Sequence, residues 1–270
     1  MDPVNSYGVR MAQRDGDAID EAAESLRLLG FAIMDSGLDA EALEALRQDF
    51  DALRAARADR FGKDRLASIA ESELLRCPLA DAPSFLALAS NAAILGLCER
   101  LIGHGFVLNQ QNGIVNPAGA ETYSQSPWHR DLPYQHYISS RPLAINALFC
   151  LDEFTLENGA THVIPASHKE EAFPSAALIR CEARQITAPA GRFIVLDCMA
   201  YHRGGVNYSQ ADRRAINHVY TIAMLRQQID LPTALGEGFT ADPAMRQLLG
   251  FAHPQPRSVE DYYAIRERKR

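Results

Sequence analysis

Residues 191–224 read GRFIVLDCMAYHRGGVNYSQADRRAINHVYTIAM. Two β-prone runs, 192–198 and 214–224, are separated by a turn built on Gly204 and Gly205, a pattern of short strands divided by turn residues. The first run delivers His202 to its end. The second opens on Arg213 and Arg214. Working back, the same texture predicts strands over 105–116, 142–151, 161–165 and 184–188, so the β-rich centre spans about 105–225.

Helical spacing brackets this centre. From Asp17, apolar Ile19, Ala22, Ala23, Leu26 and Leu29 recur on one face and stop at Gly30, a residue suited to the left-handed cap. A short strand follows in FAIM. A long amphipathic helix fits 38–61, rich in Ala, Leu, Glu and Arg, and one further helix fits 83–101. The tail after Pro232 predicts helices at 241–249 and 258–267. Helices at both ends of a β-rich centre predict one domain over 1–270, mainly β with flanking helices. The expected architecture is a β-sandwich or jelly roll with helices packed on one sheet.

Composition narrows the function. The chain has 270 residues, 47% of them hydrophobic and 23% charged, with net charge −7. That is ordinary for a globular protein. An acidic surface repels a phosphate backbone, so no nucleic-acid partner is expected. No unbroken apolar run approaches a membrane span, and the opening residues lack the pattern of a signal peptide. The five cysteines are widely spaced with no C-x-x-C, which predicts reduced core residues in a cytoplasmic protein.

The chain has eight histidines. An Asp falls two places after a given histidine by chance in about one case in twenty, so setting has to select among them. His129 and Asp131 form the one H-x-D. On an extended segment, residues two apart share a face and can grip one ion. Completed by a distant histidine such as His202, they leave open positions on Fe(II). A rival, His168 with Glu170, follows a Pro-Ser turn into helical sequence, where residues two apart diverge. An arginine at 213 or 214 could take a carboxylate bidentately, or the two could be a solvated pair. Gln110 with Asn112, Asn146, and the segment carrying Tyr134, His136, Tyr137 and Arg141 are candidate cavity or substrate contacts.

Taken in order, WHRD (128–131), LDEFTLENGATHVIPASHK (151–169) and GRFIVLDCMAYHRGGVNYSQADRR (191–214) resemble the phytanoyl-CoA dioxygenase family. The resemblance implies a double-stranded β-helix, a cupin-like jelly roll. It also implies an oxygenase using Fe(II), 2-oxoglutarate and dioxygen on a small-molecule substrate. It places the metal on His129, Asp131 and His202. The oxo-acid arginine falls on Arg213, eleven residues past the distal histidine, and a further oxo-acid contact on Asn112. Asn207 matches a turn asparagine. Two departures stand out: Arg192 where Asp is frequent, and Ala166 where Gly is frequent. A carboxylate at 131 favours hydroxylation over halogenation, since related halogenases carry Gly or Ala there. Desaturation, cyclisation or epimerisation on the same iron, and a non-catalytic cupin-like binding module, are the alternatives. Substrate identity and oligomeric state stay open.

Overall fold

The computed structural model describes residues 16–132 and 137–268. Before the β centre come α1 (Ala18–Leu29), β1 (Phe31–Asp35), α2 (Ala40–Phe61), α3 (Lys63–Ser68), β2 (Leu74–Arg76), α4 (Pro83–Ala89) and α5 (Ala92–Leu101). The centre holds β3 (Val107–Asn116), β4 (Ala144–Cys150), β5 (Thr161–Val163), α6 (Ala176–Glu182), β6 (Arg184–Ile186), β7 (Arg192–Asp197), β8 (His202–Arg203) and β9 (Arg213–Thr221). Three helices close the chain: α7 (Leu231–Leu235), α8 (Pro243–Leu248) and α9 (Val259–Arg268).

The helix starts follow local chemistry. Asp17 caps α1 by accepting from the amides of Ile19 and Asp20, and Gly30 ends it at φ 83°. That left-handed cap suits glycine. A Cβ at Gly30 would also meet His168 Nδ1 at 2.6 Å. The expected single helix over 83–101 is two. Ser90 Oγ turns back onto the Leu86 carbonyl (3.0 Å), and Asn91 caps α5 through the Ala93 and Ile94 amides. Such local side-chain bonds compete with helix continuation. As one stretch, 83–101 is apolar enough for a membrane span by length and composition. Here Phe85, Leu88, Ile94 and Leu97 are buried in the protein core.

Two antiparallel sheets face each other, as the resemblance implies for a jelly roll. The larger has order β1-β7-β4-β9-β3-β2 and the smaller β6-β5-β8. Strand alternation divides the large sheet. Ile145, Ala147, Phe149, Phe193, Val195, Ile216 and Tyr220 pack towards the helices with Phe50, Phe85 and Leu97. Leu148, Cys150, Ile194, Leu196 and Ala215 pack inward with Phe154 and Val163. The strands β2 and β8, three and two residues long, escaped sequence reading because segments so short pair only where a neighbouring strand is already in place.

The run of four amides in β3 is explained by register. Gln111 faces the helices, donating to the Phe85 carbonyl (2.7 Å), meeting His218 Nε2 (2.9 Å) and accepting from the Leu79 amide (2.9 Å). The pairing shifts between Leu108 and Gln110, and the bulged Asn109 donates to the Arg226 carbonyl. Gln110 and Asn112 take the inner face. Four cysteines are buried, but Cys181 on α6 is exposed, so the expectation of five core thiols fails there. That short surface helix has no buried residue.

Candidate metal and oxo-acid site

The inner space between the sheets opens into a cavity of about 410 Å³, counting its mouth. Its walls carry His129, Asp131 and His202, with Asn146, Asn217, Thr161, Tyr123 and Arg213 further round. The H-x-D segment lies against β8 as a short extra strand. The His129 amide donates to the His202 carbonyl (3.0 Å), and the His202 amide returns the bond (3.1 Å). The Asp131 amide donates to the Cys198 carbonyl (3.0 Å). Backbone pairing thus brings His202 to His129 and Asp131, more than seventy positions away in the chain.

Their donor atoms converge, lying within 4.8 Å of one another. His129 Nδ1 is 2.8 Å from the Pro127 carbonyl, and His202 Nδ1 is 3.0 Å from the Ala200 carbonyl. A carbonyl accepts only, so each Nδ1 carries its proton and each Nε2 presents a lone pair inward. Asp131 Oδ1 sits 3.6 Å from His202 Nε2 and 3.9 Å from His129 Nε2. Its Oδ2 accepts from Asn146 Nδ2 at 2.8 Å.

The electrostatics match this geometry. Burial alone would raise the Asp131 carboxyl, but the two imidazoles and the Asn146 amide bring it down to about 2. Burial and the neighbouring imidazole of His202 lower His129. His202 is more deeply buried, yet the Asp131 carboxylate overrides that penalty and raises it. Two neutral-nitrogen donors and one carboxylate, on one side of a centre, suit a divalent cation with open positions elsewhere.

Arg213 supplies the other end of the cavity. It is 3% exposed, and burial lowers its pKa from the ordinary value. Its Nη1 donates to the Gly159 carbonyl at 2.9 Å, Nη2 lies 3.4 Å from Tyr123 Oη, and its guanidinium stacks over Phe154 at 3.8 Å. Its Nε has no partner. Among the described residues no carboxylate pairs with it. A buried cation in this state is costly unless an anion joins it, so the site fits a carboxylate ligand. Arg214, one residue on, faces the other way and forms two bonds to Asp152 (2.8 and 2.9 Å) and one to Asp51 (2.7 Å).

The cradle around Arg213 is closely built. A Cβ on Gly159 would stand 2.4 Å from the Gly205 carbonyl oxygen, and one on Gly204 would stand 1.7 Å from Tyr123 Oη. Asn207 Nδ2 holds the Asn116 and Ala211 carbonyls (3.0 and 2.9 Å), the turn role that its motif implied. Ala166 adopts φ 61°, which explains why Gly is frequent at its position. Arg192 forms a surface ion pair with Asp35 (3.0 Å).

The remaining candidates divide. Asn146 lines the cavity. Gln110 and Asn112 are not among the lining residues: Gln110 Nε2 donates to Asn217 Oδ1 (3.3 Å) and Asn112 Nδ2 to Gln228 Oε1 (3.1 Å). Tyr134 and His136 lie outside the described residues. His168 is buried beneath α1 near the Arg27 carbonyl (3.3 Å), and Glu170 forms no cluster with it. Tyr123, Thr161 and Asn217 were not among the expected site residues. Tyr123 lies in no motif, Thr161 sits within the 151–169 stretch, and alternation from Arg213 puts Asn217 on the same strand face.

Comparison with known proteins agrees. The profile of the phytanoyl-CoA dioxygenase (PhyH) family matches residues 26–215. An uncharacterised protein of Mycobacterium tuberculosis is 29% identical over 91% of this chain and 92% of its own length. The iron/alpha-ketoglutarate-dependent dioxygenase penM of Penicillium thymicola is 30% identical over 49% of this chain and 44% of its own. Among solved structures, the non-heme monooxygenase ThoJ with nickel superposes at TM-score 0.59, with 22% identity over 77% of this chain and 80% of that one. The epimerase SnoN, with Fe3+, alpha-ketoglutarate and nogalamycin RO, superposes at 0.57, with 20% identity over 84% and 93%. The chain belongs to the phytanoyl-CoA dioxygenase family of iron- and 2-oxoglutarate-dependent oxygenases.

Proposed function

We propose that this dioxygenase hydroxylates an unactivated C–H bond of a small-molecule metabolite, with 2-oxoglutarate converted to succinate and CO2. The observation that carries the reading is the pairing, in one cavity, of the His129–Asp131–His202 cluster with the unpaired buried Arg213. His129, Asp131 and His202 would hold Fe(II), and Arg213 would take the distal carboxylate of 2-oxoglutarate. Bound iron and co-substrate supply the activation of dioxygen and the oxidising power. The chain's own residues bind, orient and exclude water. Arg213 and Tyr123 fix one end of the oxo-acid, and the carbonyl-locked imidazoles keep the ligand geometry rigid. Leu148, Leu196 and Ala215 give the wall an apolar lining.

The test begins with anaerobic metal-free protein titrated with Fe(II) and 2-oxoglutarate. The visible charge-transfer band of a chelated oxo-acid is expected, absent in His129→Ala and needing more co-substrate in Arg213→Met. A metabolite screen for succinate release follows, with product masses recorded. Gain of one oxygen supports hydroxylation. Loss of two hydrogens would instead mean desaturation or cyclisation, and unchanged mass epimerisation. No band in folded protein would favour a binding module.

A further inference from the structure

Asn146 stands on the inner face of β4, with Leu196 of β7 and Val219 of β9 as its register partners. It is 2% exposed. The neighbouring cluster at this end is apolar too: Leu132, Ala144, Cys198, Met199 and Val219. An amide in such a stripe needs both ends satisfied, and only one is. Its Nδ2 donates to Asp131 Oδ2 at 2.8 Å, while its Oδ1 is buried with no partner.

The orientation of this amide is chemically forced. An ionised carboxylate only accepts, so the atom facing Asp131 must be nitrogen, and the oxygen must be the end left over. 2-Oxoglutarate cannot satisfy it: at neutral pH its carboxylates and keto group are all acceptors. Because Oδ2 of Asp131 is tied to Asn146, Oδ1 is left as the atom nearest both imidazole nitrogens. The residue therefore joins the metal carboxylate to the wall of the cavity that His129, His202 and Arg213 also line.

We infer that Asn146 is two-sided: its N–H positions Asp131, and its carbonyl oxygen accepts a hydrogen bond from an N–H or O–H of the substrate. The substrate class is then one carrying a donor close to the carbon it presents. The inference rests on the oxygenase reading above. It makes Asn146 a positioning residue for the metal and a specificity residue for the substrate.

The test uses Co(II)-loaded protein with 2-oxoglutarate and two probes, N-methylacetamide and N,N-dimethylacetamide. They differ by one methyl in place of one N–H. Binding near the metal is read from paramagnetic broadening of the probe proton signals. One hydrogen bond predicts that wild type binds N-methylacetamide about fivefold more tightly, although an apolar wall favours the extra methyl. In Asn146→Leu the preference should vanish and Co(II) affinity should fall about tenfold. Asn146→Ser, which keeps a shorter hydroxyl, should retain Co(II) better than Leu while losing the probe preference. Equal binding of the probes in wild type, binding of neither, or a preference surviving Asn146→Leu would each overturn the inference. Failure of Co(II) or 2-oxoglutarate to bind wild type would instead remove the oxygenase reading beneath it.

Discussion

Replacing Arg213 with Met tests the proposed oxo-acid role, because it separates binding from stability. Its side chain has one good hydrogen bond, to the Gly159 carbonyl, and a ring contact with Phe154. Together these contribute about 2–3 kcal/mol. Against them stands a buried cation with an unpartnered Nε and no carboxylate partner, a penalty of several kcal/mol after relaxation. Met fills similar volume without the charge. The metal-free variant should therefore be as stable as wild type, or more stable by up to about 2 kcal/mol. Binding should move the other way. Removing one partner of a desolvated bidentate pair costs about 3–4 kcal/mol, or roughly a 10²- to 10³-fold rise in the Kd for 2-oxoglutarate. Urea unfolding of chelator-treated protein measures the first quantity, and anaerobic co-substrate titration at saturating Fe(II) the second. A stability loss beyond about 2 kcal/mol would show that Arg213 is structural. A Kd within about threefold of wild type, less than a single hydrogen bond's worth, would show that it does not meet the oxo-acid.

Three further outcomes are expected. Asp131→Ala, which removes the carboxylate shared by both imidazoles, should abolish stoichiometric Fe(II) retention on gel filtration while leaving the circular dichroism spectrum unchanged; retained iron would displace the metal from this cluster. Gly204→Ala should push Tyr123 off Arg213, weakening 2-oxoglutarate binding and costing about 1–3 kcal/mol. In a Tyr123→Ala background the same change should add little, and a fully additive double mutant would contradict the packing argument. His218 is buried, and that burial lowers its pKa from 6.5 to about 4. The unfolded chain takes up a proton first as pH falls. The stability His218 contributes is whole above pH 6.5 and is lost progressively towards pH 4, by up to about 3 kcal/mol. Metal-free His218→Gln should lose less stability than wild type between those limits in urea titrations, and parallel pH profiles would refute the assignment.

What the sequence decided by itself was periodicity and residue chemistry. Alternation along 213–220 separated Arg213, Ala215 and Asn217 from Arg214, Ile216 and His218, and the sheet has those two faces. The spacing of His129 and Asp131, with the ordered motifs after them, brought the metal cluster and the family within reach. These features are legible because they depend on neighbours in the chain, where backbone geometry fixes direction. The cavity partners are not of that kind. Tyr123 reaches Arg213 only because Gly204 leaves room, and Asn146 meets Asp131 only because β4 and the segment against β8 belong to facing sheets. The break at Ser90 and Asn91, the exposure of Cys181 and the strands β2 and β8 likewise follow from what packs nearby. Hydrogen bonds between distant segments leave no periodic trace in a sequence. Tertiary structure alone decided which polar groups are satisfied, and which, such as Arg213 Nε and Asn146 Oδ1, are left without a partner.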